Sequence, residues 1–192
     1  SMEEGTRRIR EIVLSLRNFS RLDEADFKQV NIHEGIDSTL MILQNRLKLK
    51  PHTNGIAVIK KYGNLPFVEC YPSQLNQVFM NILVNAIDAL EEKIQINSFS
   101  ENFIPQITIY TKQINTNTAQ IFILDNGSGI PNNVTSKLFD PFFTTKEVGK
   151  GTGLGLSISY QIIVEKHGGK LLCKSAPAKG TSFIIEIPIT HK

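Results

Sequence analysis

The sequence predicts an α/β domain in which a mixed sheet is covered by helices. Helical and strand patterns alternate along the chain, and several neighbouring strands are joined by hairpin turns. This combination favours a mixed sheet over a doubly wound parallel one. The chain has 192 residues, 41% hydrophobic and 20% charged. That composition is typical of a soluble globular protein with a sizeable core.

Residues 3–22 have the spacing of a helix with a narrow apolar stripe. The stripe is formed by Ile9, Ile12, Val13, Leu16 and Phe19, with arginines between them. A stripe this narrow is typical of a coiled coil or a helix bundle, so the helix needs a partner helix. We assign residues 1–30 to this bundle helix and its linker, and residues 31–192 to a second domain.

The first half of the second domain contains two predicted helices and two strands. The stretch 23–31 breaks the helical pattern, and a helix is expected from Ile32 to about Lys50. Alternation then predicts a strand in "IAVIKKYG" and a shorter one in "FVEC". A helix follows from Ser73, a candidate N-cap, to about Lys93. Its apolar face is formed by Leu75, Val78, Phe79, Ile82, Leu83, Ala86 and Leu90.

The second half is predicted to supply most of the sheet. "QITIYTKQ" and "AQIFILD" have a hairpin pattern, and "KLLCKS" and "TSFIIEIPI" are the last two strands. Between these pairs, "GLSISYQIIVEKHGG" is predicted to be a helix closed by Gly168. A long loop of glycine, threonine and lysine spans 126–153, with a short helix at 131–138. A loop of this length is usually functional or disordered.

Charge, cysteine content and hydropathy exclude several function classes. The net charge of +3 is spread along the chain, whereas nucleic-acid binding needs a concentrated basic surface. Cys70 and Cys173 lie in strand-like apolar contexts, which favours reduced thiols over a disulfide. No apolar run is long enough to span a bilayer. We expect a cytoplasmic fragment of a longer protein, which leaves a membrane anchor elsewhere in the parent open.

Three polar residues share one side of the helix that begins at Ser73. Asn81 and Asn85 are four residues apart, and Asp88 is three further on. Asparagine and aspartate are mediocre helix formers because their side chains compete for the backbone. The alternatives are a solvated face and a ligand site, in which an amide oxygen suits Mg²⁺.

Two loop motifs contain the other candidate residues. In "DNGSGIP", Asp125 ends an apolar run and is either a turn former or a carboxylate at a pocket floor. The glycine cluster "GKGTGLGLS" runs directly into a helix, and close backbone approach at a helix N-terminus favours phosphate. The cluster fits neither the P-loop pattern nor G-x-G-x-x-G.

The order of these motifs is more specific than any one of them. It runs N-x-x-x-N-A, D-x-G-x-G-I, "LFDPFFTTK" and G-x-G-x-G-L. Over about residues 32–189 the chain resembles the nucleotide-binding domain of sensor histidine kinases. That domain belongs to an ATPase superfamily that also includes gyrase B, the Hsp90 chaperones and MutL. The resemblance implies a two-layer α/β sandwich of the Bergerat type, with a mostly antiparallel sheet.

The resemblance also implies residue roles and the cofactors ATP and Mg²⁺. Asp125 would accept a hydrogen bond from the adenine amino group, and Thr181 would help to hold a water beside it. Asn85 matches the magnesium ligand. The implied nucleotide-binding set is Asn81, Asn85, Asp88, Asp125, Gly127, Gly129, Ile130, Lys146, Gly151, Thr152, Gly153, Leu154, Gly155, Leu156 and Thr181.

Two positions bear on the reaction. The relatives that hydrolyse ATP carry a water-activating glutamate at the position of Asn81, and an amide is a poor base, which favours a kinase. Many histidine kinases carry a lysine at the position of Asp88, so Lys146 or Lys150 could supply that charge.

The segment Phe139–Thr152 would be the ATP lid, whose Phe142 and Phe143 could pack on the core or dock against a helix bundle.

A phosphoacceptor histidine is not expected within the chain. In the family it lies on the helix before the one that residues 3–22 resemble. None of the four histidines looks catalytic: His33 begins a helix, His52 lies in a turn, His167 is at a helix C-terminus that favours a cation, and His191 is in the tail.

The resemblance therefore predicts a histidine kinase that transfers phosphate to a histidine outside the chain, for onward transfer to a response regulator. The expected partners are a phosphoacceptor helix bundle, a response-regulator receiver domain and, in the full-length protein, a second copy. Alternatives are a hydrolysing ATPase of the same superfamily, a nucleotide-sensing docking module without catalysis, and a serine-directed kinase on the same fold.

Overall fold

The computed structural model describes residues 26–48, 55–96, 103–143 and 153–191. The predicted helix at residues 3–22 and most of the predicted lid, including Lys146, lie outside these ranges. The elements in chain order are β1 (Lys28–Val30), α1 (Ile32–Ile42), α2 (Gln44–Leu47), β2 (Ala57–Tyr62), β3 (Val68–Cys70), α3 (Pro72–Ile96), β4 (Gln106–Asn115), β5 (Thr118–Asp125), α4 (Asn132–Thr135), α5 (Gly155–Tyr160), a π-helical turn (Gln161–Lys166), β6 (Lys170–Ala176) and β7 (Gly180–Pro188).

The main sheet has five strands in the order β2-β4-β5-β7-β6. Strand β2 is parallel to β4, and the other neighbours are antiparallel. Side chains of β5 alternate between buried and half-buried along its length. Ile121 and Ile123 face the core, while Phe122 stacks on Tyr110 on the other face with ring centroids 4.1 Å apart. The predicted two-layer α/β sandwich with a mostly antiparallel sheet is confirmed.

Helix α3 is the central element of the helical layer. Every residue of its predicted apolar face is buried, and Ile87 joins them. It contacts α1 on one side and α5 on another. A methyl group on Gly35 of α1 would overlap the amide of Asn76 on α3, so a glycine is needed where these helices meet. The core of the domain therefore lies between α3 and the buried face of the sheet.

Helix α3 begins at Pro72, so Ser73 lies inside the helix and the prediction that it is the N-cap is wrong. The structure differs from the sequence prediction in three further places. The segment expected to break the pattern contains β1, which pairs antiparallel with β3 from Lys28 opposite Cys70 to Val30 opposite Val68. The helix expected from Ile32 to Lys50 is interrupted at Leu43 and ends at Leu47. The helix expected from Gly155 to residue 167 changes from α to π geometry at Gln161. At β1, the pairing with β3 outweighs local propensity.

His167 is a neutral, buried residue, so the expectation of a cation at this helix end is wrong. Its Nδ1 lies 2.7 Å from the carbonyl oxygen of Ile162, and its Nε2 accepts the Tyr71 backbone N–H at 3.1 Å. Nδ1 must therefore carry the proton, since Nε2 is the acceptor. The side chain is fully buried, and this burial lowers its pKa.

The other sequence expectations concern the thiols and the membrane. Both cysteines are free, as predicted, and burial raises the pKa of the Cys70 and Cys173 thiols to about 12. Within the described part of the chain, no helix combines the length and the apolar character that a membrane crossing requires.

Candidate nucleotide-binding site

Asp125 is a buried carboxylate at the end of β5, with 9% of its surface exposed. Its Oδ1 accepts the backbone N–H of Gly127 at 2.8 Å, and the backbone N–H of Thr181 on β7 also donates to it. Burial raises the pKa of Asp125 to about 6, although these two N–H groups and the charge of Lys93 act in the opposite direction. A carboxylate held in this way is well placed to accept a further donor.

Two glycines after Asp125 allow the backbone to pass between neighbouring elements. A methyl group on Gly127 would lie 2.9 Å from both the backbone carbon and the Cβ of Ala89 on α3. Gly129 has φ +73, and a methyl group there would overlap the carbonyl oxygen of Ala176. The "DNGSGI" motif thus needs glycine at both positions for steric reasons.

The floor of the site is closed by hydroxyl groups from β6 and β7. The backbone N–H of Ile130 donates to Ser175 Oγ at 2.8 Å, and Ser175 Oγ lies 2.9 Å from Thr181 Oγ1. Ser175 also donates to the carbonyl oxygen of Gly180 at 2.9 Å. Predicted residues Ile130 and Thr181 are therefore joined through Ser175, which sequence reasoning missed. Its position opposite Thr181 in the β6–β7 hairpin was the available signal.

Asn81 ties α3 to the start of α5. Its amide nitrogen donates to the carbonyl oxygen of Gly155 at 2.9 Å and to Ser159 Oγ at 3.1 Å. The carbonyl oxygen of Leu154 accepts hydrogen bonds from the Ile158 backbone N–H and from Ser157 Oγ, both at 2.9 Å. The side chain of Leu156 is partly buried against the core.

The described part of the predicted lid ends at Phe143. Phe142 is 76% exposed with φ +64, and Phe143 is half-buried. The backbone of Phe142 lies against Gly153, where a Cβ would be 2.6 Å from the Phe142 carbonyl carbon. The described residues on either side of the range 144–152 are thus in contact. Lys146, Gly151 and Thr152 lie outside the described ranges.

Asp88 is paired with a cation that the sequence analysis did not identify. Arg46 on α2 donates to Asp88 at 2.7 Å and to Glu91 at 2.6 Å. The spacing of three residues between the two carboxylates was the only local signal, because such residues are neighbours on a helix. Asn85 is half-buried between Asn81 and Asp88 on the same side of α3.

Lys93 is a second residue that the sequence analysis did not identify. Its Nζ donates to the carbonyl oxygens of Asn126 at 2.7 Å, Gly127 at 3.1 Å and Ala178 at 3.0 Å. It therefore joins α3, the segment after Asp125 and the turn between β6 and β7.

Residues 70–191 match the family described as histidine kinase-, DNA gyrase B- and HSP90-like ATPases, and the chain belongs to this family. Within it, the chain is an ATP-binding domain of the histidine-kinase kind, as the following relatives show. The sensor kinase CckA of Brucella abortus is 45% identical over 119 residues, which are 60% of this chain and 12% of CckA. The signal transduction histidine-protein kinase AtoS of Escherichia coli is 32% identical over 181 residues, which are 94% of this chain and 27% of AtoS.

Solved structures agree with this assignment. The catalytic domain of the histidine kinase ThkA has a TM-score of 0.70 and 30% identity, covering 86% of this chain and 99% of that one. ThkA in complex with the response regulator TrrA has a TM-score of 0.65 and 25% identity, covering 98% of this chain and 49% of that one. The chain spans between 12% and 51% of the length of the first curated relatives that it matches.

Proposed function

We propose that this chain is the catalytic and ATP-binding part of a sensor histidine kinase. The observation that carries the proposal is Asp125, a buried carboxylate at a strand end whose oxygens are oriented by Gly127 and Thr181. The adenine amino group is a donor that such a carboxylate accepts, whereas guanine presents an oxygen there. Because an unpaired buried polar group is costly, this arrangement selects adenine over guanine.

The phosphate end of the nucleotide would lie along the polar side of α3. Asn85 fits a magnesium ligand, since Mg²⁺ takes one or two protein oxygens and completes its coordination with water and phosphate. When bound, Mg²⁺ offsets the charge of the phosphate oxygens. Lys146 or Lys150 would add a cation from the lid. Asp88 would adjoin the phosphates with its charge balanced by Arg46 at 2.7 Å.

Asn81 favours transfer over hydrolysis. Its amide nitrogen is engaged by Gly155 and Ser159, and an amide does not remove a proton from water near neutral pH. The γ-phosphate would instead pass to a histidine outside the chain, on a helix bundle to which residues 3–22 contribute one helix. An aspartate on a response regulator would receive it next, in keeping with the ThkA complex. In the full-length protein we propose a cytoplasmic homodimer, with residues 1–30 as bundle helix and linker and 31–192 as the catalytic domain.

Calorimetric titration tests the pocket directly. ADP, ATP and GTP are titrated into the wild-type chain and Asp125→Asn, each with and without Mg²⁺. We expect adenine-selective binding that the variant loses, and ATP binding that weakens without Mg²⁺. No binding of adenine nucleotides by the wild type would refute the proposal.

The reaction is tested by adding a helix bundle that carries the acceptor histidine. We expect label from γ-³²P-ATP to appear on the bundle and none on the chain alone. Steady ATP hydrolysis that Asn81→Ala abolishes would instead indicate a hydrolysing ATPase. ATP affinity that is independent of Mg²⁺, with no transfer, would indicate a nucleotide-sensing docking module.

A further inference from the structure

The ammonium group of Lys93 is fully engaged by the backbone around the candidate adenine pocket. An ammonium has three donors, and its three acceptors are the carbonyl oxygens of Asn126, Gly127 and Ala178, at 2.7 to 3.1 Å. The ring of Phe103 lies over Nζ at 4.7 Å from its centroid. Lys93 follows Ala89 by one helical turn, so both residues face the same segment of backbone.

The two segments that Lys93 joins also hold each other. The backbone N–H of Ala178 donates to the carbonyl oxygen of Ser128 at 2.6 Å. Ala178 has φ +62, a left-handed conformation that is unfavourable for a residue with a Cβ. Ser128 Oγ donates to Glu92 at 2.8 Å, next to Lys93 on α3. A strained turn of this kind persists only where several contacts fix it.

Lys93 also helps to fix the orientation of the Gly127 backbone. Gly127 is pressed between Ala89 and Asp125, with its N–H on Asp125 Oδ1 at 2.8 Å and its carbonyl oxygen on Lys93 at 3.1 Å. Among the described hydrogen bonds, Lys93 is the only donor to the Gly127 carbonyl oxygen, and the N–H of the same peptide, on Ser128, makes one long bond of 3.4 Å to the carbonyl oxygen of Ala89. Without the cation, only that long bond opposes a rotation of the peptides on either side of Gly127, which would move the Gly127 N–H away from the carboxylate.

We propose that Lys93 is a positioning residue for adenine recognition, which orients the Asn126–Gly127 backbone and places a positive charge behind Asp125. The inference rests on the proposed function, because it assigns how that same pocket is held in shape. Among the residues that the structure describes, two titratable groups face Asp125: Lys93, and the Cys173 thiol, which stays neutral because burial raises its pKa to about 12. Lys93 therefore supplies the only charge of these two.

The test compares Lys93→Met with Lys93→Arg in the 192-residue chain. Lys179→Met is the matched control, since Lys179 adjoins Ala178 and its side chain makes no hydrogen bond or ion pair among the described residues. ADP and GTP are titrated by calorimetry from pH 5.5 to pH 8. The side-chain carboxyl of Asp125 is followed by ¹³C NMR without nucleotide.

We expect Lys93→Met to weaken ADP binding on the order of tenfold, the lower end of the loss found when a partner that orients a metal ligand is removed. The titration of Asp125, and with it the pH at which ADP binding is lost, should move to higher pH. Lys93→Arg keeps the charge and the donors, so its ADP affinity and Asp125 titration should lie nearer those of the wild type. Lys179→Met should match the wild type in both. If Lys93→Met does not fold, Lys93→Gln removes the same charge and is held to the same two expectations.

Two results would overturn the inference. The first is ADP binding by Lys93→Met that equals the Lys179→Met control, and the second is an unchanged Asp125 titration in the free protein. Failure of the proposed function is distinct: in that case the wild type itself binds no ADP, whatever the variants do.

Discussion

Replacing Asp125 by asparagine should make the domain more stable while it removes adenine binding. The carboxylate is buried, and its pKa in the folded protein is about 6, against 3.8 for an ordinary aspartate. A folded-state pKa above the unfolded value means that ionisation opposes folding. The contribution of Asp125 to stability is therefore fully present below pH 3.8 and is lost as the pH rises through about 6.

The size of the effect follows from the two pKa values. A shift of about two units corresponds to about 3 kcal/mol at pH 7.5, and at pH 4.5 the same linkage leaves only about 1 kcal/mol. Asparagine is neutral and keeps an oxygen for the Gly127 N–H, but its NH₂ group cannot accept from Thr181. That unmade hydrogen bond costs about 1 kcal/mol. The net gain for Asp125→Asn should be about 2 kcal/mol at pH 7.5 and close to zero at pH 4.5.

Urea unfolding followed by circular dichroism measures this difference, and calorimetry with ADP measures the loss of binding. In the wild type, ADP binding should weaken about tenfold per pH unit below pH 6, because only the ionised carboxylate accepts the amine well. Two results would contradict this expectation: Asp125→Asn that is no more stable than the wild type at pH 7.5, or a stability difference that is the same at both pH values.

Three further predictions concern neighbouring residues. Gly127→Ala brings a methyl group to 2.9 Å from the Ala89 backbone. For Gly127→Ala, calorimetry should detect no ADP binding, and urea unfolding should show a free energy of unfolding lower by about 1–3 kcal/mol. The control is Gly168→Ala, which should bind ADP normally because a Cβ at Gly168, with φ +61, meets no other atom. Because burial lowers the pKa of His167 below 6.5, wild-type stability should fall as the pH drops below 6.5. His167→Phe should be less stable at pH 7.5 but show a smaller fall in urea unfolding between pH 7.5 and pH 5. Asn81→Asp, which turns a carboxylate toward a carbonyl oxygen, should weaken ADP binding more than Asn81→Ala in the same titration; equal losses would contradict this.

Local periodicity was sufficient to predict most of the elements, whereas the candidate site was predicted from the order of the motifs and the family that they resemble. The buried face of α3 follows from three- and four-residue spacing, and the inward isoleucines of β4 and β5 follow from alternation. Asp125 could be singled out because it ends an apolar strand and precedes two spaced glycines, although its predicted role in binding adenine came from the resemblance. In each case the signal lies within a few residues of chain, where the geometry of a helix or a strand determines which side chains share a face.

Contacts between distant segments could not be predicted in this way. Arg46 meets Asp88 across 42 residues, and Lys93 reaches Ala178 across 85. The π turn before His167 accompanies a hydrogen bond that the His167 ring accepts from the backbone N–H of Tyr71, 96 residues earlier. Each pairing depends on how helices and turns meet in three dimensions. From the sequence alone, a lysine near a helix end or an arginine before a loop could pair with many different partners.

The energetics of Asp125 explain why the surrounding contacts are so numerous. A buried carboxylate is unfavourable unless donors surround it, and Gly127, Thr181 and the charge of Lys93 offset only part of that cost, since its pKa stays near 6. The remaining cost is relieved when a ligand supplies one more donor. The adenine amino group does so, whereas the guanine oxygen would add a second acceptor against the carboxylate. Under the proposed function, the cost of burying the Asp125 carboxylate is thus the source of base selectivity, and variants that remove this cost should gain stability and lose recognition together.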